Sequence, residues 1–286
     1  MKRILFNGCS FVAGDAVAWN QYCLTHNKYN INWKDGFGYN PKRTSDELLF
    51  YQNYRSNYRK EHNLPYYISK NLNMNKEDIS NDGNSNDMIA LSTIMHLLNK
   101  SPDERKQYHV CIGWSSKARV MKFNKVDGEM ANLNIQSVNS IQQDSTITDY
   151  ALAAIGNAYN EDFFINFIKN IILLENFLIA NNITYTFFKA MGSYKDTTDI
   201  KFNSIGKKYN INSLAVSDIY SWYKFDNIDS NHLPPHIGTS WAETVIKNCP
   251  DFHIDHNNVH PNLKAVIEFS KDISEFIKSQ NILDEQ

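Results

Sequence analysis

Three short apolar runs do most to limit what this chain can fold into. Arg3-Ile4-Leu5-Phe6, Tyr108 to Ile112 and Ile183 to Lys189 are rich in β-branched and aromatic residues, and each reads as a short buried strand. A further short strand is expected at Asp78-Ile79-Ser80. Helical spacing fills the stretches between and after them: from Phe11 to Ala18, Leu64 to Leu72, Asp87 to Asn99 and Glu161 to Ala180. A C-terminal apolar face of Leu263, Val266, Ile267, Ile273, Phe276 and Ile277 runs down to Ser279. Strands alternating with helices predict an α/β fold, a three-layer α/β/α sandwich around a mostly parallel sheet. Ligands of such sheets lie beyond the carboxyl ends of the strands. Ser10, Gly83 and Gly113 each follow an expected strand, so they should meet at one edge despite their separation in sequence.

The chain has 286 residues, enough to bury a core without disulfides or metals, and is expected to form one domain over 1–286. An aromatic and polar insertion at about 20–63 should fold over the site, with a helix from Ser45 to Arg59. A hairpin is expected near Asp127-Gly128, and a capping box at Ser240-Trp241-Ala242-Glu243 predicts a helix to about Lys247. Asp251 to His260 reads as a loop, with Pro261 at the first position of the last helix.

Formal net charge is -2, which gives no electrostatic footprint for nucleic acid. The densest basic groups, Lys42-Arg43 and Arg55, Arg59, Lys60, read as a solvated helix face or loop. Cys9, Cys23, Cys111 and Cys249 fit no zinc pattern and read as reduced thiols. No secretory signal and no membrane-length apolar run is seen, so the expected location is cytoplasmic. Heavy use of Asn, Ile, Lys and Tyr suits an AT-rich genome, such as that of a bacteriophage.

Four segments can carry chemistry. Ser10 follows a strand at a tight turn, where its hydroxyl is exposed and backbone N–H groups face a developing oxyanion; otherwise it simply caps the helix at Phe11. In Gly83-Asn84-Ser85-Asn86-Asp87, Gly83 offers an N–H, Asn84 and Asn86 can orient substrate, and the alternative is a plain turn and N-cap. In Gly113-Trp114-Ser115-Ser116, Ser115 can give a third oxyanion bond while Trp114 and Arg119 line a pocket; strand-end packing and a surface arginine are the alternative. His260, beside Pro261, has the ordinary pKa of a general base near neutral pH, with Asn257, Asp255 or Asp251 to orient it. The density of His253, Asp255, His256 and His260 matches no common zinc-binding spacing, and no metal or cofactor is expected.

Taken in order, these segments resemble the blocks of the SGNH (GDSL-type) hydrolases. Gly8-Cys9-Ser10-Phe11-Val12-Ala13-Gly14 is similar to the first block, G-D-S-x-x-x-G, with Cys9 in place of Asp. Asp82 to Asp87 is similar to the second block, whose Gly donates to the oxyanion hole. Ile112-Gly113-Trp114-Ser115 falls where the third block, G-x-N-D, should lie, and Asn257-Asn258-Val259-His260-Pro261 where the fifth, D-x-x-H-P, should lie. The variants resemble most the branch found in phage and marine bacterial genomes.

The resemblance implies a flavodoxin-like fold and hydrolysis of an ester, such as an O-acetyl group on a carbohydrate, through Ser10 and His260 without a cofactor. Ser115 stands where the family has Asn and Asn257 where it has Asp. Loss of that carboxylate can cost about 10⁴ in rate, so Asp255 or Asp251 replaces it, a dyad suffices, or activity is weak. Acyl transfer by the same residues and a catalytically inert binding or virion-associated scaffold are the other readings.

Overall fold

β1 (Arg3–Gly8) is buried at every position after Arg3, as a strand covered on both faces must be. In the computed structural model, residues 3–14, 17–18, 21, 25, 45–115, 119–123, 130–134, 160–190, 253–255, 258–261 and 263–279 are described. Four helices and two strands complete the first half: α1 (Ser10–Ala13), α2 (Ser45–His62), α3 (Leu64–Leu72), β2 (Asn75–Asp78), α4 (Asn86–Leu98) and β3 (Tyr108–Trp114), with the one-turn α5 (Pro102–Arg105) before β3. Then come β4 (Arg119–Phe123), β5 (Met130–Asn134), α6 (Asn160–Ala180), β6 (Thr184–Lys189), β7 (His253–Asp255), β8 (Asn258–Pro261) and α7 (Leu263–Ser279).

The central sheet has the order β2-β1-β3-β6, and every pairing in it is parallel. Gly8 stands opposite Gly113, so β1 and β3 end together. Side-chain alternation sorts the helices into two layers. Asn7 and Trp114 face one side, where Asn7 Nδ2 lies 3.0 Å from the Ile89 carbonyl of α4 and the Trp114 ring meets Phe167 of α6 at 5.9 Å. Gly8 and Gly113 face the other, against Val12 of α1, while Phe188 packs on Phe269 of α7 at 5.7 Å. α3 joins that second layer, with Asn71 Nδ2 donating to Ser270 Oγ of α7 at 3.3 Å. The expected three-layer α/β/α arrangement is therefore what forms.

Two expectations shift. β2 covers Asn75–Asp78, not Asp78–Ser80, because the chain leaves the sheet at Asp78 while single bonds continue, Ile79 N–H to Phe6 O at 3.0 Å and Asn81 N–H to Gly8 O at 3.2 Å. Pro261 does not open the last helix. His253–Asp255 and Asn258–Pro261 form a small antiparallel hairpin, and α7 starts at Leu263, so Pro261 closes a strand on which it owes no N–H. The hairpin expected near Asp127-Gly128 corresponds to antiparallel β4 and β5, with Phe123 opposite Met130. The stretch around Ser240 lies outside the described residues. No helix among the described residues is long and apolar enough to cross a membrane.

At the amino end of the sheet, Glu77 of β2 gathers four partners. Tyr108 Oη donates to it at 2.6 Å, His96 Nε2 lies at 2.9 Å, Arg3 Nη1 at 3.0 Å and Lys100 Nζ at 3.5 Å. Burial pushes this carboxyl upward, but the bonds from Tyr108 and His96, the Lys100 charge and the bond from Arg3 outweigh it and hold Glu77 at about 2. A folded-state value below the unfolded one gives stability that is present above the unfolded pKa and lost as pH falls through the folded one. Wild type is therefore expected to melt above Glu77→Gln at neutral pH, the gap closing between pH 4.5 and about 2. Melting curves of both proteins across that window check it; a gap that does not change with pH would refute it.

Candidate active site

The ends of β1 and β3 and the turn after β2 are bonded into one junction. Gly8 O accepts from Asn81 N–H and, at 3.1 Å, from Asn84 Nδ2. Asn86 Oδ1 accepts from Ser115 N–H at 2.8 Å, and Asn86 Nδ2 donates to Ser115 O at 3.2 Å. Gly83 turns the chain between them with φ of +71°, a left-handed conformation that side chains resist. Ser85 caps α4 by accepting from Met88 N–H at 3.3 Å. Asn7, which sequence reading did not single out, fixes the β1 end from below. Its Nδ2 reaches Ser92 Oγ at 2.8 Å and Thr93 Oγ1 at 2.9 Å, and its Oδ1 accepts from Gly8 N–H at 2.8 Å.

Ser10 is the first residue of α1. Cys9 O accepts from Val12 N–H and Ala13 N–H, both at 3.0 Å, so Cys9 occupies the position before the helix and Ser10 lies inside it. The alternative of Ser10 as a plain cap at Phe11 therefore gives way: the helix starts one residue sooner.

Asn84 and Asn86 were expected to orient substrate. They are 4% and 1% exposed, and their amides are committed to Gly8 and Ser115, so here they position backbone. Asn86→Ala would leave the N–H and C=O of buried Ser115 without these partners, at a cost of about 2 kcal/mol. Urea unfolding checks that figure; a midpoint equal to wild type would count against the junction. Ser115 is itself wholly buried at this tie. Trp114 packs at the strand end: it is 2% exposed, with its ring edge-on to Phe167 and, at 5.4 Å, to Phe187. Its Nε1 is buried without a hydrogen-bond partner.

Arg55 and Arg59, read from sequence as solvated, point inward from α2. Arg55 Nη1 donates to Asp82 Oδ2 at 2.9 Å. Arg59 Nε donates to Ala13 O, the end of α1, at 2.7 Å, and Nη2 to Ser80 O at 3.4 Å, with Nη1 3.8 Å from Asp82 Oδ1. Two arginines one helical turn apart thus clamp α2 onto α1 and the Gly83 turn. Their i, i+4 spacing was the available signal, since it puts both on one helix face.

On the opposite layer, Asp87 holds the β4–β5 hairpin. Its Oδ2 accepts from Met121 N–H at 3.1 Å, and Oδ1 from Asn166 and Asn170 of α6 at 2.9 and 3.1 Å. Arg119 opens β4 and is 9% exposed, not a surface residue.

His260 lies in β8, three residues before α7 begins. Asp255 of β7 pairs with Asn258, two residues before His260. Asn257 and Asp251 lie outside the described residues. α3 starts beside α1, since a Cβ at Gly14 would come within 2.9 Å of Asn63 Cβ. Asn71 meets Ser270 equally far along α3 and α7, and Phe269 meets Phe188 near the end of β6. α7 therefore packs along α3 and against the end of β6.

No family model matches the chain, and no curated protein matches it. Solved structures similar to it include a member of the lipolytic G-D-S-L family from Veillonella parvula, at 11% identity and a TM-score of 0.43, covering 97% of this chain and 99% of that one. An acetyl xylan esterase from the rumen bacterium Butyrivibrio proteoclasticus is similar at 11% identity and a TM-score of 0.42, covering 98% of this chain; the chain spans 64% of that esterase.

Proposed function

We propose that this chain is an ester hydrolase of the SGNH type, a single domain acting on a small-molecule or carbohydrate ester such as an O-acetyl sugar. The observation that carries the reading is the junction of Gly8, Asn81, Asn84, Asn86 and Ser115, which gathers three of the four family-like segments at one sheet edge. In this reading the Ser10 hydroxyl attacks the ester carbonyl and passes its proton to His260. The N–H groups of Ser10 and Gly83 hold the oxyanion, since the first N–H groups of a helix have no partner within it. Ser115 supports that hole from its buried position. The imidazolium protonates the leaving alkoxide, and water then frees the acyl group from Ser10. Asp255 is the favoured orienting group, because the hairpin register sets it across from Asn258, on the strand that carries His260. α2, held by Arg55 and Arg59 against α1 and the Gly83 turn, would border the acceptor side.

Incubation with a fluorophosphonate followed by peptide mass mapping tests this. One adduct, on Ser10, is expected, together with turnover of p-nitrophenyl acetate. No adduct and no turnover would leave an inert scaffold, and product analysis with a sugar acceptor separates hydrolysis from acyl transfer.

A further inference from the structure

Arg119 is a buried cation, 9% exposed, that forms no ion pair among the described residues. Its Nε and Nη1 are buried without a hydrogen-bond partner. A guanidinium stays charged at any ordinary pH, so it cannot relieve burial by losing a proton. Breaking a buried ion pair is strongly destabilising because of the lone charge it leaves. A fold that keeps such a charge has a use for it, and the chemistry that fits is an oxyanion supplied from outside the chain.

The position suits a ligand. Arg119 opens the strand that follows β3, four residues beyond Ser115, whose backbone is tied to the Asn86 end of the junction. Met121, two residues on, is bonded to Asp87 at the start of α4, so this end of β4 is pinned beside the same sheet edge. The indole Nε1 of Trp114, at the end of β3, is a second buried donor without a partner. Asp87 is spent on Met121, Asn166 and Asn170, and makes no bond to the guanidinium among the described residues.

We propose that Arg119 grips a carboxylate on the substrate, so that the ester acted on belongs to an acidic molecule such as an acylated uronic acid. The class follows from charge balance: one guanidinium neutralises a monoanion, whereas a phosphate dianion would remain under-compensated. Placing this anion site in the substrate pocket rests on the ester-hydrolase reading; the anion site itself does not.

Binding is measured by calorimetry on the full chain with D-glucuronate, glucose and inorganic phosphate, for wild type, Arg119→Met and Arg119→Lys. Glucuronate is expected to bind wild type, to lose at least about tenfold in affinity in Arg119→Met and less in Arg119→Lys, and to outbind phosphate; glucose should not bind. Arg119→Met should melt no lower than wild type, because it removes an uncompensated charge. A structural arginine would instead lower the melting temperature in that variant. Glucuronate should also inhibit p-nitrophenyl acetate turnover competitively in wild type, with an inhibition constant raised in Arg119→Met. Absent glucuronate binding, or equal binding in Arg119→Met, overturns the site; tighter phosphate binding overturns the carboxylate class. Binding without competition overturns its place in the pocket. A wild type that binds glucuronate but turns over no ester overturns the hydrolase reading and leaves the anion site standing.

Discussion

Ser10→Ala and His260→Ala should each lower kcat for p-nitrophenyl acetate by about 10⁴ to 10⁶, with melting temperatures near wild type. Without Ser10 no acyl intermediate forms, and without His260 the hydroxyl keeps its proton at neutral pH. Groups that act as one unit are not additive, so the double variant should be hardly slower than either single one. The variants at the orienting position then divide the candidates. Asp255→Asn should cost up to about 10⁴ if this carboxylate holds the imidazole, while Asn257→Ala changes little; the reverse order would assign the role to Asn257. Steady-state kinetics on the five proteins, with dichroism to confirm folding, decides it. Turnover retained in either Ser10→Ala or His260→Ala would end the proposal.

Much of the sheet was legible because buried parallel strands announce themselves as unbroken apolar runs. Tyr108 to Ile112 is such a run, and β3 is buried from end to end. β2 was misplaced because Asn-Lys-Glu-Asp carries no such signal: it is an edge strand, chosen by pairing with β1 and by the Glu77 ion cluster. The strand ends of the candidate site were legible through Gly8, Gly83 and Gly113. The side chains that bind those ends together were not. Asn86 looks the same in sequence whether it faces a ligand or ties off Ser115, and Arg59 looks the same whether solvated or bonded to Ala13 O. Polar side chains acquire such roles only from partners distant in sequence. Pro261 misled for a related reason: the first turn of a helix and the end of a strand both tolerate its missing N–H.

Gly8→Ala is the change outside the reacting groups with the largest expected effect. A Cβ there would lie 2.4 Å from Val12 Cγ2, 2.8 Å from Val12 Cβ and 3.0 Å from Gly113 O. None of the three can yield cheaply. Val12 is β-branched within a helix, where one rotamer dominates, so it cannot swing aside. The Gly113 carbonyl belongs to β3, paired on both sides. Either α1 lifts from the sheet or β1 and β3 part, and both movements carry Ser10, two residues before Val12. The expected cost is about 3 kcal/mol of stability, at the upper end for overpacking. A displacement near 1 Å at the nucleophile should also remove about 10² in rate. Adding Val12→Ala removes the nearest colliding methyl and should return part of both losses, which a merely local strain in β1 would not do. Urea unfolding and fluorophosphonate labelling rates of Gly8→Ala, Val12→Ala and the pair measure this; a Gly8→Ala protein as stable and as quickly labelled as wild type would show that α1 does not rest on the β1 end as described.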